Sequence, residues 1–257
     1  MDPRKLAVYP RATMTSKRTA IVLGGSGSVG TALLRELFDD GGFDAVITLS
    51  RRSFPEAAAM ARSAGRTLVE KLVPDMQPGP LAAATLDAAS GVDGDLEGFS
   101  VLGVGANTAK LTLEEHRAVD VGLNEAFARG LRDSGKVQHL AFMSAVGADP
   151  AAKASGSGAA GMPRYNRVKG ESEQAVRAAG PAIVSVFRPA MIIGSQHTPW
   201  LLEKALPLVS FVTPGRFKSI TVQQIAKAMI ASAKRHPAAS GTYHYPEMMA
   251  LIATGQP

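Results

Sequence analysis

The chain has 257 residues, carries a net charge of +6 at pH 7, is 46% hydrophobic and contains no cysteine. This length and apolar content suit one α/β domain with a sizeable core, and the absence of cysteine excludes disulfides, thiolate metal sites and a cysteine nucleophile. The basic residues are scattered and no basic helix is interleaved with aromatic residues, so we expect no nucleic-acid partner.

The N-terminal segment is basic. Residues 1–18 contain five Lys and Arg residues and one acid, but they lack the apolar run of roughly 7 to 15 residues that a secretory signal has. We expect residues 1–17 to be a disordered leader, with Met14 as an alternative start. A transit peptide is the less favoured alternative, because two prolines would interrupt an amphipathic helix.

The longest nearly apolar stretch, 181–194, is shorter than the roughly 20 residues of a spanning helix, so we expect a cytoplasmic protein without a membrane segment.

From residue 18 onward, strand and helix patterns alternate. The predicted strands are the apolar run that begins at Thr19 and residues 45–50, 66–72, 99–105, 137–144 and 182–188. The predicted helices are residues 28–39, 55–64, 81–89, 113–134 and 164–179. This alternation predicts an α/β fold, a doubly wound and mostly parallel Rossmann sheet of six strands.

The part of the chain after about residue 189 is less regular. It predicts helices at 198–206 and 221–235 and a possible strand at 241–245, and we expect it to form a small C-terminal extension on the substrate side of a single domain, 18–257. Residues 148–163 are rich in Ala, Gly and Ser and have no periodicity, which predicts a loop long enough to be mobile or functional.

A cluster of glycines lies between the first strand and the first helix. The sequence TAIVLGGSGSVG contains two overlapping spacings, Gly25-x-Gly27-x-x-Gly30 and Gly24-x-x-Gly27-x-x-Gly30. Either spacing places glycines where the backbone turns tightly, approaches a pyrophosphate and packs helix on strand. The turn therefore favours a dinucleotide, although a tight strand-to-helix turn without a ligand would also tolerate these glycines.

Two arginines follow the second strand. A site that prefers NAD presents Asp or Glu about 20 residues after the glycine turn, whereas this chain has Ser50, Arg51 and Arg52 there. Two guanidinium groups at this place would bind a 2′-phosphate, which favours NADP(H) over NAD(H). The alternative is that both arginines are solvated surface residues.

Three further side chains are candidates for catalysis. Tyr165 and Lys169 are four residues apart, on one face of a predicted helix, and a cation near a phenol lowers the pKa of the phenol and makes it a plausible general acid or base. Ser144 ends the predicted fifth strand, where a hydroxyl could polarise a substrate carbonyl. The five histidines are spread singly and predict structural or surface roles rather than a metal site.

Taken together, these motifs resemble the short-chain dehydrogenase/reductase superfamily over residues 18–250. Further segments resemble its atypical branch, near the Tat-interacting-protein-30-like reductases and the NAD(P)-binding epimerase-like proteins: GGSGSVG, SRR, VLGVGANT, RAVDVGLNEAFARGLRDSG, HLAFMSAVGAD, YNRVKGESE and VFRPAMIIG.

The resemblance implies a set of roles by position. The pyrophosphate would be held by Gly24, Ser26, Gly27, Ser28, Val29 and Gly30, and the 2′-phosphate by Arg51 and Arg52. The adenosine side would be lined by Leu102, Gly103 and Val104, with Asp75 near the adenine and the backbone after Pro189 at the carboxamide. Tyr165 would be the proton donor, Lys169 would bind the nicotinamide ribose, and Ser144 would polarise the carbonyl.

The chain departs from the family pattern in two ways. Ser144 lies 21 positions before Tyr165, a longer spacing than in typical members, so residues 151–161 must loop out for the two to meet. The position of the usual tetrad Asn holds Asp120, with Asn124 one turn later.

Three functions remain open on this basis. The leading hypothesis is an NADP(H)-dependent oxidoreductase that acts on an unidentified small carbonyl or alcohol. The alternatives are an NADP(H)-binding regulator or scaffold with a protein partner or a homodimer, and a nucleotide-sugar epimerase-like enzyme.

Overall fold

The computed structural model describes residues 18–194 and 215–254, except the side chain of Ala106. The expected leader, 1–17, and the predicted helix at 198–206 lie outside the described residues. The strands are β1 Arg18–Leu23, β2 Ala45–Ser50, β3 Thr67–Leu72, β4 Asp95–Ser100, β5 Val137–Met143, β6 Ile183–Phe187, β7 Ile192–Ile193, β8 Ile220–Thr221 and β9 Gly241–Tyr243. The helices are α1 Ser28–Asp39, α2 Pro55–Ser63, α3 Pro78–Ser90, α4 Leu113–Arg117, α5 Asn124–Asp133, α6 Pro163–Ala179, α7 Val222–Lys234 and α8 Tyr245–Thr254.

The main sheet confirms the predicted doubly wound α/β fold. Its strand order is β3-β2-β1-β4-β5-β6-β9, and all six neighbouring pairs are parallel. The chain moves outward from β1 in one direction to β3 and then returns to place β4 on the other side of β1. The ends of β1 and β4 therefore form a topological switch point, the place where such sheets bind ligands.

Apolar side chains cover both faces of this sheet. One buried cluster joins α1, α2, α7 and α8 to the sheet, and the other joins α3, α5 and α6 to its opposite face. Near-continuous apolar strands such as AIVL in β1 are what a parallel sheet with two covered faces requires.

The tail differs from its prediction. We expect it to lie on the substrate side, but α7 packs against α1 in one helical layer, and β9 extends the sheet to seven strands. Among the described residues of the tail, β7 and β8 form a separate two-stranded sheet that follows the carboxyl end of β6. Helix α8 was not predicted from the sequence pattern.

The prediction of β4 at residues 99–105 is wrong by about four residues. The strand is Asp95–Ser100, and the apolar VLGVG segment follows it. Two acids and a glycine in β4 hide its periodicity, yet Glu97 is buried. Its Oε2 lies 2.9 Å from Nδ1 of His139, and Nε2 of the same imidazole lies 2.9 Å from Ser185 Oγ. These three buried side chains form a polar row across β4, β5 and β6 beneath α7.

No helix among residues 18–194 and 215–254 combines the length and the apolar character needed to cross a membrane.

Candidate functional site

The glycine turn lies at the switch point, between β1 and α1. Gly24 has a φ of +88°, and a Cβ there would lie 2.6 Å from the Leu102 backbone nitrogen. A Cβ on Gly30 would overlap the carbonyl oxygen of Gly24. The fold itself therefore requires glycine at both positions, because the turn touches the segment after β4 and the helix touches the turn.

Gly27 is different, because nothing in the described chain requires it. Its φ of −78° and ψ of 170° suit any residue, and the nearest atom to a Cβ would be 3.6 Å away. It is the exposed N-cap of α1, which has no side-chain cap and no acid in its first turn. A glycine in open space at an uncapped helix N-terminus fits a pyrophosphate that approaches the backbone closely.

Ser26 is exposed beside Gly27, while Val29 is buried in the core and positions α1. Ser26, Gly27 and Ser28 thus lie at the entrance of the turn, and Gly24, Val29 and Gly30 support it.

Arg51 and Arg52 follow β2 and are both exposed, with no ion pair to any described residue. The carboxylate of Glu70 on the neighbouring strand β3 is occupied instead by the Ser53 hydroxyl (2.8 Å) and the Phe54 backbone N–H (2.6 Å). Two uncompensated guanidinium groups at the end of β2 can therefore take an anion. Asp75 is exposed after β3, and its role at the adenine stays a prediction.

The segment Leu102–Val104 links the two halves of the site. Its Leu102 backbone contacts Gly24, while a Cβ on Gly103 would lie 3.2 Å from Lys169 Nζ. The Val104 N–H donates to Asp120 Oδ2 at 3.1 Å. The glycine turn and the Tyr165 helix, about 140 residues apart in sequence, are thus brought to the two sides of one short segment.

Lys169 and Asp120 form the buried ion pair of the site. The Lys169 ammonium donates to Asp120 Oδ1 at 2.5 Å, and the two residues are 6% and 1% exposed. Burial raises the pKa of Asp120, but the Lys169 charge and the nearby His116 outweigh it and hold that pKa well below its usual range. Burial lowers the pKa of Lys169, and the Asp120 charge outweighs this and raises it. Both groups are therefore ionised at neutral pH.

Asp120 lies in a π-helical segment, Ala118–Leu123, which joins α4 to α5. The sequence predicts one regular helix over residues 113–134, and the π segment is a departure from it. The backbone carbonyl of Asp120 accepts hydrogen bonds from Asn124 Nδ2 (2.9 Å) and from the Ser172 hydroxyl. Side chains thus provide the hydrogen bonds that this carbonyl lacks within the helix. Single-turn π segments of this kind are often found at functional sites.

Tyr165 precedes Lys169 by one turn of α6. The ammonium of Lys169 lies 5.7 Å from the centroid of the Tyr165 ring. Burial raises the pKa of Tyr165, Lys169 lowers it and Asp120 raises it, and the net result is a raised pKa. Lys169 lowers the pKa of Tyr165 as expected, but burial of the phenol, together with the Asp120 charge, outweighs this effect.

His116 belongs to the same cluster and was missed at the level of sequence. Its ring is fully buried, lies 5.8 Å from the Tyr165 ring between centroids, and has Nε2 at 3.7 Å from Asp120 Oδ2. That distance is too long for a hydrogen bond, and neither ring nitrogen has one within the described chain. The spacing of His116 and Asp120 by four residues in a predicted helix was the available signal. Within the described ranges, no group of three His, Asp or Glu residues could hold a metal.

Ser144 follows β5 and is 3% exposed, and its hydroxyl has no partner among the described residues. Its N–H donates to the Phe187 carbonyl (2.7 Å), and the Val146 N–H donates to that of Pro189 (2.9 Å). Ser144 and Pro189 therefore lie on adjacent segments at the carboxyl edge of the sheet. An unpartnered buried hydroxyl at that edge fits a group that bonds to a ligand.

The segment after Ser144 is packed onto α6. The Asp149 N–H donates to the Asn166 carbonyl (2.9 Å), and Arg167 Nη1 donates to the Ala152 carbonyl (2.8 Å). Gly170 allows this packing, since a Cβ there would overlap the Pro150 backbone nitrogen. The 21-residue spacing is thus accommodated by a loop that folds back on the Tyr165 helix.

Comparisons with known proteins agree with this fold. No family model matches the chain. The 3-oxoacyl-acyl-carrier-protein reductase from Brucella melitensis in complex with NAD is similar, with a TM-score of 0.66, 15% identity and coverage of 91% of this chain and 98% of that chain. L-Sorbose reductase from Gluconobacter frateurii, complexed with NADPH and L-sorbose, has a TM-score of 0.62 and 15% identity. The match covers 89% of this chain and 94% of that chain. UDP-N-acetylglucosamine 4-epimerase from Bacillus cereus has a TM-score of 0.60 and 13% identity. The match covers 93% of this chain and 83% of that chain. The fold is the one shared by short-chain dehydrogenases/reductases and NAD(P)-binding epimerases.

Two relatives by sequence are fungal proteins. Protein FMP52, mitochondrial, from Eremothecium gossypii is 28% identical over 204 residues, which are 78% of this chain and 80% of that protein. The mitochondrial protein fmp52 from Aspergillus fumigatus is 26% identical over 189 residues, which are 74% of this chain and 73% of that protein. Because both are named as mitochondrial, the expectation of a cytoplasmic location is wrong.

We expect the Gly27→Ala variant to fold normally and to bind NADPH at least tenfold more weakly, because the added methyl group fills space that only a ligand would use. Calorimetric titration with NADPH and a thermal melt measure the two effects. Gly30→Ala is the matched control, since its Cβ overlaps Gly24, and it should lower the free energy of unfolding by about 2 kcal/mol or more. Unchanged affinity in Gly27→Ala would exclude the turn as the pyrophosphate site.

We expect His116→Phe to change the free energy of unfolding by less than about 1 kcal/mol, because the imidazole has no hydrogen bond to a described residue and loses a contact of 3.7 Å with Asp120. His139→Phe, at a histidine with two buried partners, should lower it by about 2 kcal/mol. Urea denaturation at pH 8 compares the two. A loss in His116→Phe as large as that in His139→Phe would contradict the description of His116 as unpartnered.

Proposed function

We propose that the chain is an NADP(H)-dependent oxidoreductase of the short-chain dehydrogenase/reductase type, which acts on a small carbonyl or alcohol. The observation that carries the proposal is the arrangement around Leu102–Val104: the glycine turn contacts Leu102, while the ion pair of Lys169 and Asp120, one helical turn from Tyr165, contacts Gly103 and Val104. A dinucleotide that runs from the turn along this segment would bring its nicotinamide end to the tyrosine.

The residues present fit such a cofactor. Gly27 leaves open space at the N-terminus of α1, and the buried Ser144 hydroxyl has no partner in the part of the chain that the structure describes. When bound, a nicotinamide cofactor supplies or accepts the hydride. Ser26, Gly27 and Ser28 would hold the pyrophosphate on the turn that Gly24 and Gly30 support, and Lys169 would bind the ribose near Tyr165.

The chain's own residues would move the proton. Tyr165 would donate a proton to the substrate oxygen in reduction and accept it in oxidation. Ser144 would bond to the same oxygen and orient the carbonyl carbon. Lys169 would hold a positive charge beside the phenol and stabilise the phenolate that proton donation leaves behind.

Preference for the phosphorylated cofactor would come from Arg51 and Arg52. Both are exposed after β2 and form no ion pair with a described residue, and the nearby Glu70 carboxylate is already bonded by the Ser53 hydroxyl and the Phe54 N–H. Guanidinium groups bind phosphate in a bidentate way, and the interaction is lost when the phosphate is absent.

A mitochondrial location is supported by the names of the two fungal relatives. The composition of residues 1–18, with five basic residues and one acid, is compatible with an import sequence.

We expect the protein to bind NADPH at least tenfold more tightly than NADH in calorimetric titrations. The double variant Arg51→Gln/Arg52→Gln should lose this preference, because the 2′-phosphate loses its donors, while NADH affinity stays the same. Arg62→Gln is the matched control, since Arg62 is an exposed arginine of the neighbouring helix α2. Equal affinities in the wild type would contradict the preference, and no binding of either cofactor would contradict the enzyme proposal.

We expect Tyr165→Phe to reduce kcat by a factor of at least 100 while NADPH affinity stays within twofold, because only the proton donor is removed. The measurement is NADPH oxidation with a panel of aldehydes and ketones, and Tyr245→Phe is the control. Unchanged kcat in Tyr165→Phe would refute the assigned role. If no carbonyl supports oxidation by the wild type, the binding-protein alternative would be favoured instead.

A further inference from the structure

The candidate site is closed in this structure. Ser144 is 3% exposed and Lys169 is 6% exposed, and the imidazole of His116 beside Tyr165 is fully buried. A substrate oxygen must come within about 3 Å of the Ser144 hydroxyl to accept a hydrogen bond from it. Some element at the carboxyl edge of the sheet therefore has to move before a substrate can bind.

Residues 151–161, which we call the strap, are the part of this edge that is held least firmly. The strap lies between the end of β5 and the first turn of α6, and all its residues except Lys153 are Ala, Gly or Ser. Residues 153–157 are exposed, and no described residue outside the strap forms a hydrogen bond with them. The middle of the strap is therefore not bonded to the body of the protein.

The strap closes through one backbone contact. Within the strap, which the structure describes in full, Gly158 is the only buried residue. A Cβ on Gly158 would lie 2.5 Å from the Thr108 carbonyl oxygen and 2.5 Å from Arg164 Nη2. Thr108 lies in the short helix that follows Leu102–Val104, and Arg164 directly precedes Tyr165. This approach of the strap to both parts of the site leaves no room for a side chain at position 158.

The contact lies at the end of the helices where the candidate catalytic groups are. Helices of a parallel α/β fold run opposite to the strands, so α4 and α6 both begin at the carboxyl edge. Tyr165 lies in the first turn of α6, and His116 lies at the start of the short helix α4. Arg164 Nη2 donates to the carbonyl of Leu111, just before α4, at 2.9 Å. The strap thus meets α6 beside the turn that carries Tyr165.

The interface between the strap and α6 is incompletely bonded. The buried atoms Arg164 Nε and Asn166 Oδ1 have no hydrogen-bond partner within the described chain. Gly161 has a φ of +80°, and a Cβ there would have nothing within 4 Å. An interface with unsatisfied polar groups costs less to open than a fully bonded one, and a glycine in open space can absorb the change of backbone angles.

We propose that the strap is a lid that controls access to Ser144 and Tyr165, and that Gly158 is the contact by which the lid closes. A closed lid excludes water from the reacting groups, and an open one admits the substrate. The role of the lid toward a substrate rests on the proposed function, whereas its closure over Ser144 does not.

The test measures access to position 144 without any substrate. The chain has no cysteine, so Ser144→Cys introduces a single thiol at the buried position. Its rate of reaction with dithionitrobenzoate reports how often the site opens. Adding Gly158→Val should raise this rate about tenfold or more, because the larger side chain cannot lie against the Thr108 carbonyl and the lid stays open.

Two controls separate opening of the lid from other effects. Ser155→Val places the same side chain at an exposed position of the strap, and it should change the rate in Ser144→Cys by less than about twofold. Ser232→Cys introduces a thiol on α7, at a position that is 1% exposed on the other face of the sheet. Gly158→Val should leave the reaction rate of this second thiol within about twofold, because only the strap opens.

An unchanged rate in Ser144→Cys/Gly158→Val would overturn the proposal, and so would an equal rise in Ser232→Cys/Gly158→Val, which would indicate global unfolding. If Gly158→Val does not fold, Gly158→Ala decides by the same comparison, since its Cβ alone would meet the Thr108 carbonyl oxygen. These rates involve neither NADPH nor turnover. A lid that opens as expected in a protein that binds no NADPH would therefore uphold this proposal while the proposed function fails.

Discussion

A lysine that is 6% exposed stays charged only where a carboxylate compensates it, and Asp120 provides that carboxylate. Much of the local structure serves this one ion pair. The π segment places the carboxylate, Ser172 and Asn124 bond the backbone carbonyl that the irregular turn exposes, and the Val104 N–H takes the second carboxylate oxygen. Removing one member of such a set leaves a buried charge or a buried polar group without a partner.

The second constraint is close backbone approach at the switch point. Gly24 contacts the backbone after β4, and α1 contacts Gly24 through Gly30, so neither position has room for a side chain. Gly27 is not needed for that packing. The glycine motif therefore has two parts, of which the fold requires one, while the other is open toward solvent at the N-terminus of α1. The same segment, Leu102–Val104, also contacts the ion pair of Lys169 and Asp120. The glycine turn and the ion pair are therefore positioned by one short segment after β4.

Polar side chains inside the sheet have different roles at its two ends. Near the amino ends of β4 and β5, Glu97 and His139 satisfy each other, and Ser185 bonds to the second imidazole nitrogen. At the carboxyl edge, by contrast, the buried Ser144 hydroxyl has no partner among the described residues, and neither has the imidazole of His116 on α4 next to Asp120. A row of satisfied polar groups stabilises the core, whereas unsatisfied buried groups are expected where a ligand completes the bonding.

The sequence by itself determined the alternation of strands and helices, the glycine turn, the arginines after β2 and the spacing of Tyr165 and Lys169, because each is a local pattern of a few residues. Local patterns could not place β4, since Glu97 is buried by pairing with His139, which lies on another strand. They also could not show that Asp120 pairs with Lys169 or that His116 lies against Tyr165, because 49 residues separate each pair. Only the tertiary structure decided that the pKa of Tyr165 is raised. Burial and the carboxylate of Asp120, which is far from Tyr165 in sequence, outweigh the neighbouring lysine. Electrostatic effects of this kind depend on distance in space and on exclusion of water, which the order of residues alone does not specify.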